Sequence, residues 1–254
     1  MRLASWNVNS LKVRLPHVLE WLAAQQPDVL CLQETKLADP YFPLAALKEA
    51  GYQAVYAGQK TYNGVAILSR HPITEIIRGI PGWVDEQQRV LSATIQGIRI
   101  VCVYVPNGQD VDSDKYQYKL RWLSALHDWL GHELSQHQHL AVLGDFNIAP
   151  YDTDVYDAAE LGQGILVSPA ERTAFFALLE LGLEDSFSTH TNPGQNFTWW
   201  DYRAGAFRRN RGLRIDHILL STALAKNSSN WQVDTNPRKQ ERPSDHAPVM
   251  VSAN

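Results

Sequence analysis

The sequence predicts an α/β fold in which two mixed sheets pack face to face with helices outside. Strand-like and helix-like segments alternate through the first half, as expected where helices cover sheets. The second half is strand-rich, so that about a dozen short strands accompany about four helices. No internal repeat, low-complexity tract or long linker divides the chain, and residues 1–254 read as a single domain.

Arg2–Trp6 opens the chain as a strand. An amphipathic run, Leu15–Gln25, follows with Val18, Leu19, Leu22 and Ala23 at helical spacing, and Pro27-Asp28 breaks it. Val29–Leu32 is the short continuous apolar run of a buried strand. Leu44–Ala50 reads as a helix ended by Gly51. Tyr52–Ala57, Gly64–Ser69, Val90–Ile95 and Ile98–Val105 are strands joined by turns bearing glycine or proline. Asp114–Leu134 is the longest helix, with Leu120, Leu123, Leu126, Leu130 and Leu134 on one face, and Leu140–Leu143 returns as a buried strand. Ser168 reads as an N-cap with Pro169 at N1 and Glu171 completing a capping box; this helix should reach Leu181 and stop at Gly182. Phe197–Tyr202, Arg214–Leu220, Trp231–Asp234 and Ala247–Val251 are the last strands. Residues 149–168 form the longest irregular segment, rich in Asp and Gly, and long loops of this kind often carry function.

A hydrophobic fraction of 44% with 20% charged residues is that of a globular protein with a sizeable core. No run approaches the ~20 apolar residues of a membrane span. No basic segment leads into an apolar stretch at the N-terminus, so a cytoplasmic location is expected. Cys31 and Cys102 lie inside apolar strand runs and read as small core residues rather than a disulfide. The net charge of -4 does not advertise nucleic-acid binding, but distribution matters more than the total. From Arg203 to Arg214 the segment RAGAFRRNRGLR holds five arginines and no acid. Such a run is often a solvated loop; its position just before Asp216 favours contact with phosphates instead.

Five polar clusters sit at the ends of apolar runs: Trp6-Asn7-Val8-Asn9, Gln33-Glu34-Thr35-Lys36, Gly144-Asp145-Phe146-Asn147, Arg214-Ile215-Asp216 and Ser244-Asp245-His246. Only a fold that gathers strand ends on one rim could unite them. Carboxylates and carboxamides without cysteine suit a hard divalent cation such as Mg²⁺, whose natural use is on a phosphate ester. Glu34 after one buried strand and Asn7 ending its neighbour form a candidate ligand pair, against the plainer reading of an exposed acid. Asp145 and Asn147, two apart, share a side of an extended segment, where one orients a water and the other holds a phosphate oxygen. A simple turn is the alternative. His246, ahead of Ala247-Pro248, is extended. Held by Asp216 as an imidazolium it would bind a phosphate oxygen, where the alternative is a satisfied core histidine. His132, His137 and His139 fall at the polar end of a helix and read as surface groups rather than a zinc site. Trp199 and Trp200 precede the arginines, and aromatics beside basic residues stack on nucleotide or sugar groups. In a strand the two face opposite ways, so only one can line a site.

WNVNS, LQETK, GQKTYNGVAILSR, YVPNG, GDFNIAP, FTWWDYR, NRGLRID and PSDHAPV occur in this order between residues 2 and 251. In that order they resemble the exonuclease III family of DNA-repair nucleases, within the endonuclease/exonuclease/phosphatase superfamily. GDFN and SDHAPV fit any member of the superfamily, lipid and inositol phosphatases included. GQKTYNGVA, YVPNG, FTWWDYR and RGLRID are specific to the DNA-repair branch. The resemblance implies a four-layered α/β sandwich, an active site on one rim, and Mg²⁺ or Mn²⁺. It implies Glu34 as principal metal ligand with Asn7 nearby, and Asp145, Asn147 and Asp245 by the metal. Asp145 would activate or position the attacking water with help from Asn147. Tyr104 and Asn107 would contact the phosphate or help the leaving oxygen depart, and His246, oriented by Asp216, would stabilise charge on the phosphorane. Trp199, Leu213 and Ile215 fall where the family builds its pocket for a base-free sugar.

Two positions depart from the pattern. Ser10 stands where glycine is common, and Ile165-Leu166-Val167 precede Ser168 where strong abasic-site endonucleases carry a small residue. A branched side chain projecting there would obstruct a continuous strand while leaving a strand end free to enter. The expected protein is a Mg²⁺-dependent hydrolase of duplex DNA, a 3′→5′ exonuclease and 3′-phosphatase with abasic-site endonuclease activity beside them, the alternative being an enzyme that is predominantly an abasic-site endonuclease. It is expected to be monomeric, without membrane partners, and to touch phosphates through Arg203, Arg208, Arg209, Arg211 and Arg214. A same-fold phosphatase of lipids or small molecules is disfavoured by the arginines and FTWWDYR. A catalytically silent DNA-binding module is disfavoured by the presence of Glu34, Asp145, Asp216 and His246.

Overall fold

The apolar runs meet in the middle of the molecule. Leu3, Cys31, Ile67, Leu91, Ile100, Cys102, Leu143 and Ile218 belong to one buried core, to which both sheets contribute. The computed structural model of the chain describes residues 1–188 and 196–253. In chain order it contains β1 (Arg2–Asn7), α1 (Leu11–Gln25), β2 (Val29–Gln33), α2 (Leu44–Glu49), β3 (Gln53–Ala57), β4 (Val65–Ser69), β5 (Thr74–Arg78), β6 (Val90–Ile95) and β7 (Ile98–Tyr104). These are followed by α3 (Asp114–Gln136), β8 (Leu140–Asp145), α4 (Ala158–Leu161), α5 (Pro169–Glu180), β9 (Leu183–Asp185), β10 (Asp216–Ser221), α6 (Thr222–Ala225), β11 (Ser229–Val233) and β12 (Val249–Ser252).

One six-stranded sheet runs β11-β12-β1-β2-β4-β3 and the other β5-β6-β7-β8-β10-β9. Each is antiparallel except at one pair, β1/β2 in the first and β7/β8 in the second. Parallel neighbours need a crossover, and α1 and α3 supply the two. Because strand side chains alternate in direction, the residues between those of the central core face the helices. Ala4, Trp6, Leu30 and Leu68 pack with Val18, Trp21 and Leu22 of α1. Val101, Val103 and Val142 pack with Trp122, Leu126 and Leu130 of α3 and with Phe175 and Leu178 of α5. Helix, sheet, sheet and helix make the four layers expected. No helix among the described residues is long and apolar enough to cross a membrane.

Three expectations need correction. Helix α1 begins at Leu11, a turn before Leu15, and carries Pro16 inside it; the proline leaves the Lys12 carbonyl without its backbone partner, which apolar packing of the helix outweighs. β5 and β9 are short and β5 is largely exposed, so neither showed as an apolar run. Phe197–Tyr202 is not a strand. Only Trp199 makes bridges, to Leu213 and to His246, because the segment spends its backbone bonds on the chain ends beside the rim. Thr198 and Trp199 donate to the Leu213 carbonyl and Trp200 to that of Asp245. The capping box at Ser168 forms as read, with Ser168 Oγ accepting from the Glu171 N–H and Glu171 Oε2 from the Ser168 N–H. Cys31 and Cys102 are buried and free, and His132 and His139 are exposed.

Candidate active site

Strand pairing brings the polar clusters to one rim. Within the second sheet Asp145 is the register partner of both Tyr104 on β7 and Asp216 on β10. Within the first, Asn7 ends β1 beside Gln33, so Glu34 stands one residue beyond the ladder. A single carboxamide joins the two sheets: Asn7 Nδ2 donates to Glu34 Oε1 at 2.8 Å and to Asp145 Oδ2 at 2.9 Å. Glu34 has a left-handed backbone, φ 51°. Lys36 bonds its other oxygen at 2.8 Å and Asn9 Oδ1 at 2.5 Å. Ligand atoms of Glu34, Asp145 and His246 lie within 4.8 Å of one another.

The histidine is held as expected, Nδ1 against Asp216 Oδ2 at 2.9 Å, and Nε2 points back to Asp145 Oδ2 at 3.7 Å. Burial opposes charge on His246, but Asp216, Asp145 and Asp245 outweigh it and lift its pKa to about 10. An imidazolium has no free nitrogen lone pair, so His246 suits an anionic phosphate oxygen rather than a metal. Burial likewise pushes the Asp145 carboxyl up to about 7, against the pull of His246. Burial, Glu34 and Asp145 raise the Tyr104 hydroxyl well above its ordinary value, leaving it a phenol able to donate. Glu34 and Asp145 then offer oxygen ligands either side of Asn7, with no sulfur, and that donor set fits a hard divalent cation. Asp245 stands outside the group. Its carboxylate accepts from Asn9 Nδ2 and Trp199 Nε1, both at 3.0 Å, and is held below the usual range, as the charge of His246 and these bonds outweigh burial.

Asn147 lies beyond Asp145 but not in an extended segment: its φ is 49° and its N–H closes a turn onto Asp145 Oδ1 at 2.9 Å. The turn reading was correct in form, and it still serves the site. Asn147 Nδ2 reaches Asp145 Oδ2 at 3.2 Å, while Asn107 Nδ2 donates to Asn147 Oδ1 at 3.1 Å. Two neighbouring groups went unread. Thr198 Oγ1 donates to Asp216 Oδ2 at 2.6 Å and accepts from the Ile215 and Asp216 N–H groups, fixing the carboxylate that orients His246. Buried Lys119 bonds the carbonyls of both Asn107 and Asn147. A lysine at 119 in helical step with the buried Leu123, Leu126 and Leu130 was the signal.

Trp199, Leu213 and Ile215 gather as read, in an apolar cluster with Ala149, Val155, Leu166 and Val167. Trp200 is buried elsewhere, against Phe197, Ala206 and Ala247. Leu166 and Val167 are therefore packed into this apolar cluster rather than projecting into a groove, and of the three only Ile165 is partly exposed. The arginine cluster divides. Arg214 is not a surface group: it is 1% exposed and forms ion pairs with Asp154 and Asp185, both at 2.7 Å. Arg203 pairs with Asp201, and Arg211 with Glu160 and the Tyr156 hydroxyl. Arg208 and Arg209 are exposed, with no ion pair among the described residues.

A model of the endonuclease/exonuclease/phosphatase family matches residues 4–246. Exodeoxyribonuclease III of Haemophilus influenzae is 36% identical over 266 residues, spanning 99% of each chain. A 3′–5′ exonuclease of Neisseria meningitidis, NExo, superposes over the whole of both chains with a TM-score of 0.98 at 47% identity. That Neisseria enzyme is also solved as a 3′ phosphatase bound to a product DNA hairpin, with the same score and identity over 100% of this chain and 99% of that one. An AP endonuclease of Archaeoglobus fulgidus gives 0.96 at 36% identity, over 100% of this chain and 99% of that one.

Proposed function

The chain belongs to the endonuclease/exonuclease/phosphatase family, and from that premise we propose a DNA-repair nuclease that hydrolyses the P–O3′ bond at 3′ ends, 3′ phosphates and abasic sites of duplex DNA. The observation that carries this is the rim itself. A carboxylate pair bridged by Asn7 stands across from the His246–Asp216 pair, and the Trp199, Leu213 and Ile215 cluster lies beside them. The same bond breaks in all three reactions, so one set of groups serves them.

Glu34, with Asp145 and with Asn7 alongside, would hold Mg²⁺ or Mn²⁺, which supplies polarisation of the phosphate and neutralises its developing charge. Asp145, basic for a carboxylate through burial, takes a proton from the attacking water. Asn107, braced by Asn147 Oδ1, holds a phosphate oxygen, Asn147 keeps Asp145 in place, and the His246 imidazolium stabilises charge on the phosphorane. The Tyr104 phenol faces the departing oxygen and donates to it as the P–O3′ bond opens. Asp245 anchors Asn9 and Trp199 at the pocket edge. Arg208 and Arg209 contact phosphates of the duplex. Residues 1–254 act as one domain and a monomer, in the cytoplasm.

3′-end processing should lead over abasic cleavage, since Leu166 fills the cluster that would receive a base-free sugar. The identity of 47% to the Neisseria exonuclease, against 36% to the Archaeoglobus AP endonuclease, supports that order. Three labelled duplexes, with an abasic site, a recessed 3′-OH and a 3′-phosphate, incubated with the protein and Mg²⁺ decide the matter. Cleavage of the two 3′-end substrates faster than the abasic one is expected, and no cleavage of any would refute the assignment.

A further inference from the structure

We infer that Lys119 is a positioning residue: through Glu171 it ties Asn107 and Asn147, the asparagines beside Asp145, to the loop that lines the sugar pocket, coupling turnover to substrate choice. The inference rests on the nuclease reading and adds a residue outside the rim. Lys119 is 0% exposed, as is Glu171. An ammonium has three N–H bonds to place, and all three have acceptors. These are the Asn147 carbonyl at 2.7 Å, the Asn107 carbonyl at 3.1 Å and Glu171 Oε1 at 2.5 Å.

Glu171 in turn gathers the far loop. Its Oε1 also accepts from the Leu166 N–H at 3.2 Å, and its Oε2 from the Ser168 N–H and hydroxyl at 3.1 and 2.7 Å. The Leu166 carbonyl accepts from Ala149, two residues past Asn147. Packing follows the same line: a Cβ placed at Gly108 would lie 2.9 Å from Ile165 Cδ1 and 3.2 Å from Lys119 Cδ. The loops of Asn107, Asn147 and Leu166 thus meet at one ion pair. Apolar side chains would fill the same space without desolvating two charges, so packing alone does not account for the pair. What it adds is direction: it fixes two backbone carbonyls, and hence sets Asn147 against Asp145 and Asn107 against Asn147.

Lys119→Met combined with Glu171→Gln removes both charges together, leaving no lone buried ion. On the recessed 3′-OH duplex kcat is expected to fall on the order of 10²-fold, the scale of a small misplacement near reacting groups. KM should stay nearly unchanged, and the ratio of abasic to 3′-end cleavage should shift. Leu22→Ala, in the helix layer against the first sheet, controls for lost stability and should keep its kcat below its melting transition. Should the double variant not fold, Glu171→Asp keeps both charges while shortening the reach of the carboxylate, and a smaller fall of the same kind is expected. A folded variant with wild-type kcat and wild-type substrate ratio overturns the inference. Wild-type protein that cleaves none of the duplexes overturns both the inference and the nuclease reading, which separates the two failures.

Discussion

The two sheets share one plan, six strands with a single parallel pair bridged by a helix, yet they bring different chemistry to the rim. The first contributes Asn7 and Glu34 from the ends of β1 and β2. These two are hard oxygen ligands, and the same sheet brings His246 to the rim from the segment just ahead of β12. The second contributes Tyr104, Asp145 and Asp216, whose register holds them side by side. Its buried acids sit beside the His246 imidazolium and the Tyr104 phenol. Asn7 is the seam, bonding an acid from each. On the proposed reading each sheet supplies one acid to the cation, and the phosphate meets His246 from one side and Tyr104 from the other. Substitutions of cation-holding and phosphate-facing groups should therefore fail in different ways.

The largest effect should come from removing the cation altogether. EDTA is expected to abolish cleavage and added Mg²⁺ or Mn²⁺ to restore it; full activity in chelator would break the comparison at its first step. Next come Asp145 at the end of β8 in the second sheet and His246, three residues ahead of β12 in the first. Asp145→Asn and His246→Ala should each lower kcat on the order of 10²-fold or more with DNA affinity nearly kept, and extra metal should not rescue His246→Ala. Glu34→Ala, on the first sheet, should instead shift the Mg²⁺ concentration needed for half-maximal rate and recover part of its activity at high metal. If excess metal rescues His246→Ala as well as it rescues Glu34→Ala, the division between cation-holding and phosphate-facing groups is wrong.

The same contrast tells which features were legible in the sequence. Strand ends were, because a buried apolar run closed by a polar cluster is a local signal, and Asn7, Glu34, Asp145 and Asp216 all stand at such ends. The His246–Asp216 pair was legible for the same reason, each sitting at the start of an apolar run, although the two strands, β12 and β10, belong to different sheets. Arg214 was not. Its partners Asp154 and Asp185 lie 60 and 29 residues away, so a segment with no acid of its own is neutralised by acids from elsewhere. Phe197–Tyr202 has the aromatic content of a strand, but its backbone bonds go to Leu213 and Asp245. Lys119 sat in plain view on an apolar helix face, though only the fold shows which carbonyls it serves.

The arginines extend the comparison to the surface. Arg208→Ala with Arg209→Ala should weaken DNA binding and reduce its log–log salt slope by about 0.9 for each phosphate left without its arginine, with melting unchanged. Arg214→Ala should do the reverse: leaving Asp154 and Asp185 buried without their cation costs about 3–5 kcal/mol of stability, seen as a lowered denaturation midpoint. An unchanged slope in the first variant would make Arg208 and Arg209 ordinary solvated groups.

The smallest effect, and the one that most sharpens the picture of the pocket, concerns Leu166. Its φ of 74° is left-handed, a conformation that costs a branched residue about 1–2 kcal/mol and glycine almost nothing. It holds that conformation while packed among Val155, Leu213 and Ile215, so backbone strain and apolar burial oppose each other at one residue. Leu166→Gly removes both. Stability should fall by less than the about 2–5 kcal/mol typical when a buried leucine is truncated, because relief of the backbone offsets part of the loss. The N–H to Glu171 and the carbonyl to Ala149 survive the change, since both belong to the backbone. The asparagines should therefore stay placed and 3′-end rates stay nearly intact, while the vacated cluster admits a base-free sugar and abasic cleavage rises several-fold. Rates on the abasic and recessed 3′-OH duplexes, measured side by side, check this. Equal loss on both substrates would mean that Leu166 supports the rim rather than filling the pocket.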